Sequence, residues 1–139
     1  MNKIITVLAA GVTALLSFHA LAPSAVKYQT DCRANKEQND KTVCPEIANP
    51  IASIDSYDTI FLGYPIWWGQ EPRIIDTFLE SYDFSDKTVI PFCTSGGSGI
   101  GRSGSNLASQ AGSGNWLDGD RLDEGISEDE LKTWISKYN

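Results

Sequence analysis

Residues 57–69 read Tyr57-Asp58-Thr59-Ile60-Phe61-Leu62-Gly63-Tyr64-Pro65-Ile66-Trp67-Trp68-Gly69. Residues 59–64 form an apolar run without alternation, and Pro65 stops it. A run of that length, ended by a turn signal, is a strand buried on both faces. Pro72 then opens a helix that puts Ile74, Ile75, Phe78, Leu79 and Tyr82 on one stripe. Residues 87–93, Lys87-Thr88-Val89-Ile90-Pro91-Phe92-Cys93, read as a second buried strand, although Pro91 is awkward inside a central strand. A glycine-rich loop follows, then a weak helix over 106–111. Trp116-Leu117 and Arg121-Leu122 suggest a last strand or a turn pair. Ser127 and Glu130 form a capping box for a final helix, with Leu131, Trp134, Ile135 and Tyr138 on its buried face.

Strands alternating with helices predict an α/β fold with a parallel sheet and right-handed crossovers. In such sheets ligands bind beyond the carboxyl ends of the strands. The loops at 65–71 and 94–102 therefore lie at one edge of the sheet and next to each other. Trp67 and Trp68 in the first offer flat faces for stacking a planar heterocycle, with one of the two expected to face the core. In the second, Thr94, Ser95 and Ser98 supply hydroxyls. Gly96, Gly97 and Gly99 let the backbone approach a ligand closely. No Gly-Lys-Ser/Thr follows them, so this is not the phosphate loop of nucleotide hydrolases.

The 139 residues suffice for one domain. Eleven Lys+Arg against 18 Asp+Glu give a net charge of −7, which excludes a nucleic-acid binder and suits a partner protein with a basic face. Three cysteines and one histidine leave no disulfide scaffold, zinc site or Ser-His-Asp triad. Cys32 and Cys44 are a pair of free thiols or, after export, a disulfide, and Cys93 reads as a small core residue. The acidic loop of Asp118, Asp120, Asp123 and Glu124 lacks the spacing of a helix-loop-helix calcium site.

Residues 1–25 read as a secretory signal peptide, with Lys3, an apolar middle and Ala20-Leu21-Ala22. Pro23 is a poor neighbour for cleavage there, and a cut after Ala25 is the other option. Two readings compete: a membrane anchor, or a buried strand over 3–9 followed by a turn and a helix. Cleavage implies a periplasmic or extracellular protein, and a retained leader a cytoplasmic one. Residues 26–56 read as a polar surface connection, with a short helix opening at Pro45.

Residues 57–69, the segment Pro91-Phe92-Cys93-Thr94-Ser95-Gly96-Gly97-Ser98-Gly99-Ile100-Gly101, and Trp116-Leu117-Asp118-Gly119 together resemble the bacterial flavodoxin-like family. The likeness runs from Tyr28 to the end and takes in the polar connection. It implies a three-layer flavodoxin-like sandwich binding FMN without a covalent bond, for electron transfer. It also implies that Tyr64, Pro65, Trp67, Trp68 and Gly69 border the flavin ring. Thr94, Ser95, Gly96, Gly97 and Gly99 would then serve the ring's polar edge. The family's phosphate-binding motif, close to Thr-Gly-Asn-Thr, does not occur before Tyr57, so the fold is expected to be truncated at its start and FMN binding weakened. Without a first strand, residues 59–64 become an open apolar edge that a second subunit, or residues 3–9, would have to cover. Two alternatives to an electron carrier stand: a flavin-dependent quinone or NAD(P)H reductase, and an interaction module that binds no flavin.

Overall fold

The computed structural model describes residues 3–8 and 33–138. Its elements in chain order are β1 (Ile4–Leu8), α1 (Arg33–Asn39), β2 (Thr59–Pro65), α2 (Arg73–Ser81), β3 (Thr88–Thr94), α3 (Ser103–Ala111), β4 (Asn115–Trp116), β5 (Asp120–Arg121) and α4 (Glu128–Ser136). All strand pairs are parallel, in the order β1-β2-β3, with β4 and β5 both on the outer side of β3. This is the α/β architecture expected, and its three layers follow from the pattern of burial. Ile60, Leu62 and Tyr64 face α2 and α3, in a core with Ile75, Phe78, Leu79, Phe84 and Leu107. Phe61, Ile90 and Phe92 face the other way, onto Trp134 of α4. Each of β2 and β3 is thus buried on both faces, which is why neither alternates in sequence.

The α4 layer is held by aromatic contacts and one directed bond. The ring of Trp134 lies 5.5 Å from Phe61, 5.6 Å from Phe92 and 5.3 Å from Tyr138, all in the tilted or edge-on range that aromatic pairs prefer. Its Nε1–H donates to Asp120 Oδ2 at 2.7 Å, so the indole loses no hydrogen bond on burial. The helix begins with the capping box that Ser127 and Glu130 promised: Ser127 Oγ accepts from the Glu130 N–H at 3.3 Å, and Glu130 Oε2 accepts from the Ser127 N–H at 2.9 Å.

Pro91 is tolerated in a central strand because of where its missing donor points. The carbonyls of Lys87, Val89 and Cys93 accept from Asn115, Leu117 and Leu122 at 2.8, 2.9 and 2.8 Å. Odd-numbered residues of β3 therefore address the outer neighbour, and Pro91 would do the same. The outer neighbour is broken there into β4 and β5, each two residues long, with residues 117–119 bridging the gap. Gly119 makes this close approach. A Cβ at that position would collide with the Pro91 carbonyl oxygen and lie 2.6 Å from Ile100 Cδ1.

Two expectations change, and one alternative is decided. The short helix opening at Pro45 does not form, and Pro45 is buried in an irregular segment. The helix of the polar connection is instead α1, earlier in the chain and without an apolar stripe. The edge of strand 59–64 is covered from within the chain, by the stretch expected as the alternative to a second subunit: β1 pairs with β2 from Ile4↔Thr59 to Leu8↔Gly63, and Ile5 and Val7 pack on the core. A second subunit could reach that edge only if β1 left. Residues 9–32, which hold most of the predicted leader, lie outside the described residues, and cleavage after Ala22 or Ala25 would remove β1. No helix among the described residues is long and apolar enough to cross a membrane.

Replacing Gly119 by Ala forces the two segments apart and costs about 2 kcal/mol, as overpacking typically does. Urea unfolding should show a lower midpoint with an unchanged slope.

Candidate functional site

The last rungs between β2 and β3 bring the two loops together. Pro65 lies opposite Thr94 in the register, and the Ile66 N–H donates to the Thr94 carbonyl at 3.0 Å. Beyond that point one chain runs into the tryptophan pair and the other into the glycine loop. Between them lies a cavity of about 320 Å³ walled by Ile66, Trp67, Trp68 and Gly69 on one side and Gly96, Gly97 and Ser98 on the other. That volume is at the small end of the range for small-molecule sites. None of these lining residues is charged.

The tryptophan loop is a tight reversal. Trp67 and Gln70 exchange both backbone hydrogen bonds, N–H to carbonyl at 2.8 and 3.1 Å. The two residues between them have φ of 48° (Trp68) and 80° (Gly69), the positive pair that defines a type I′ turn. Glycine suits the second position. Tryptophan does not suit the first, where a bulky residue costs about 1–2 kcal/mol. The strain leaves the Trp68 indole 48% exposed, the one large hydrophobic side chain so placed among the described residues. Trp67 is half-buried and lines the cavity too; it packs on neither core cluster, so the expected core-facing indole is not found.

On the facing loop, Ser95 Oγ accepts weakly from the Gly97 N–H at 3.4 Å and donates to the Ser98 carbonyl, which folds the loop over itself. Gly96 and Gly97 carry the wall, while Gly99 is exposed and does not line it. Thr94, 5% exposed, sits at the base of this loop, and its Oγ1 has no hydrogen-bond partner among the described residues.

Not every predicted site residue reaches the cavity. Tyr64 is fully buried in the core on the α2/α3 side, and its hydroxyl pairs with Ser103 Oγ at 3.0 Å. Burial drives its phenol far above the ordinary tyrosine range, so it stays neutral. Pro65 is half-buried at the strand end and lies outside the wall. Sequence reasoning passed over Ile66, which does line it, while Ser98, read as a hydroxyl donor of the glycine loop, lines it as well. It also passed over Glu71, directly behind the turn, whose Oε2 is buried without a partner. A lone acidic residue between a glutamine and a proline gives no pattern to find.

Cys93 lies at the end of β3 with no exposure, and burial pushes its thiol up to about 11. Cys44 is an exposed free thiol, while Cys32 lies outside the described residues. In the acidic loop, Asp120 and Asp123 are taken by Trp134 and Arg121. No group of three metal-ligating side chains occurs among the described residues.

A flavodoxin family model matches residues 25–138. The chain belongs to the flavodoxin family. Among solved structures, it is similar to a Bacteroides uniformis protein assigned as a flavoprotein, with 40% identity and a TM-score of 0.72 over 81% of this chain and 74% of the other. A second, from Bacteroides eggerthii and also assigned as a flavoprotein, has 36% identity and a TM-score of 0.70 over 83% and 74% of the two chains. A Lactobacillus acidophilus flavoprotein in complex with FMN is more distant, at 25% identity and a TM-score of 0.44 over 63% and 54%. No curated protein shows significant sequence similarity to this chain.

In a variant carrying Cys32→Ser and Cys44→Ser, Cys93 should not react with a disulfide reagent at about pH 8, because the thiolate is the nucleophile and this one is suppressed. Reaction should appear at the rate of unfolding when urea is added.

Proposed function

We propose that the cavity takes the isoalloxazine ring of FMN and that the protein is an electron carrier holding its cofactor less tightly than the nanomolar level. The observation that carries this reading is the pairing of a half-exposed Trp68, on a strained turn, with the Gly96–Gly97 backbone across one small cavity. Residues held in strained backbone conformations cluster at active sites and ligand clamps. The residues present suit the ring. Trp67 and Trp68 would flank it, backbone groups of the glycine loop would meet its polar edge, and the unpartnered Thr94 hydroxyl stands ready at the loop's base. When bound, FMN supplies the redox chemistry, while this chain orients it and sets its electrostatics. The surrounding charge of −7 disfavours an anionic reduced ring and so lowers its potential.

The weakened grip follows from charge. Among the described residues no cation lines the cavity, and the family's hydroxyl- and glycine-rich phosphate motif does not occur in the sequence of residues 1–56. The acidic surface suits a redox partner with a basic face, by electrostatic steering. The openness of Trp68 keeps a second reading alive, a reductase that admits a nicotinamide or quinone beside the ring.

Titrating the protein with FMN should quench flavin fluorescence with a micromolar dissociation constant. Trp68→Ala should weaken binding about tenfold, the loss of one aromatic contact. NADH should not be consumed by the loaded protein alone; unaided consumption would favour the reductase. A colourless protein that binds neither FMN nor riboflavin would leave only the fold.

A further inference from the structure

Behind the tryptophan turn lies a polar cluster that the flavin reading does not use. Gln38 of α1 reaches across and donates from Nε2 to the Glu71 carbonyl at 2.9 Å. Arg73, at the start of α2, pairs with Asp76 at 2.9 Å, with both side chains largely covered (17% and 15% exposed). Around these bonds, Gln38 Oε1, Glu71 Oε2 and Arg73 Nε are buried and lack partners among the described residues. Gln38 Oε1 can only accept, and so can Glu71 Oε2 while it is ionised. Adding one proton to Glu71 turns an acceptor into a donor, where a second acceptor stands unserved.

We propose that Glu71 is a positioning residue for the ring cavity: as the neutral acid it donates into the Gln38 cluster and fastens α1 to the segment bearing the tryptophan turn, and as the carboxylate it loosens that fastening. The connection to the cavity is short. Gln70 closes the turn, and Glu71 is the next residue, two positions beyond the lining Gly69. The inference rests on the cavity being a flavin site for its ligand readout, but not for its stability readout.

The charges around the group set the direction. Burial raises the Glu71 carboxyl above the ordinary range, and Asp76 adds to this. A backbone hydrogen bond and Arg73 oppose it. Arg73 is already engaged by Asp76, and Tyr64 on β2 stays neutral. From α1 the cluster receives the uncharged Gln38, and Asp40, just beyond that helix, adds a carboxylate that interacts with Arg73. In the unfolded chain Glu71 ionises at the usual value, near 4.5. Its stabilisation is therefore full below that pH and is lost as pH rises through the higher native value.

Riboflavin is the right probe, because the FMN phosphate itself titrates near pH 6. Its affinity for the unmodified protein should fall about fivefold between about pH 4 and about pH 8, a modest coupling. Glu71→Gln, which keeps a donor at all pH values, should hold the low-pH affinity throughout. Glu71→Ala should be weak throughout. The ligand-free proteins supply the second readout: the melting temperature of Glu71→Gln should exceed that of the parent by a margin that grows with pH. Parallel pH profiles for parent and Glu71→Gln in both measurements overturn the proposal. If riboflavin binds none of the proteins, the flavin reading fails and the melting profiles alone decide the role of Glu71.

Discussion

The hydrogen bond from the Ile66 N–H to the Thr94 carbonyl, 3.0 Å long, closes the parallel ladder between β2 and β3. Everything at the functional edge is placed by it. Seven residue pairs in register, from Thr59↔Thr88 to Pro65↔Thr94, bring both strands to the edge together. A slip of one residue would turn Ile60, Leu62 and Tyr64 out of one core and Phe61 out of the other. The register is thus fixed by two hydrophobic layers at once, and the two loops inherit that precision although they carry little packing of their own.

The cavity combines a stiff wall with a strained one. The tryptophan turn is clamped by its reciprocal backbone bonds and is anchored through Ile66, which is buried with the core. The strain at Trp68 is small beside the burial of the strand that leads into it, so the core can hold the indole in a position that its own backbone preference opposes. The glycine loop opposite is held by Ser95, whose hydroxyl satisfies both an N–H and a carbonyl of the same loop.

Much of this was legible because β2, β3 and α2 announce themselves by periodicity. Residues 59–64 and 87–93 were read within a residue of their true bounds, and the stripe of α2 buries Ile75, Phe78 and Leu79 as its spacing required. Helix α1 was not legible, because a polar helix without an apolar face has no period to detect; it is held partly by Gln38 reaching to Glu71. Strands β4 and β5 are too short to show a pattern. For β1 the sequence was ambiguous on physical grounds, since an apolar β-branched run is equally the middle of an export signal and a strand buried in a sheet. Tyr64 was misplaced at the ligand by reading its loop; its shared parity with Ile60 and Leu62 assigns it to the core.

The break opposite Pro91 has one more effect. A sheet whose outermost row is long and continuous invites strands of other molecules to add to it without limit. This outer row offers two residues, an offset at Gly119, and two residues more. No incoming segment can keep step across that discontinuity. The proline that interrupts the ladder inside one molecule thereby also ends the sheet there, and keeps neighbouring molecules from growing into a fibre along that side.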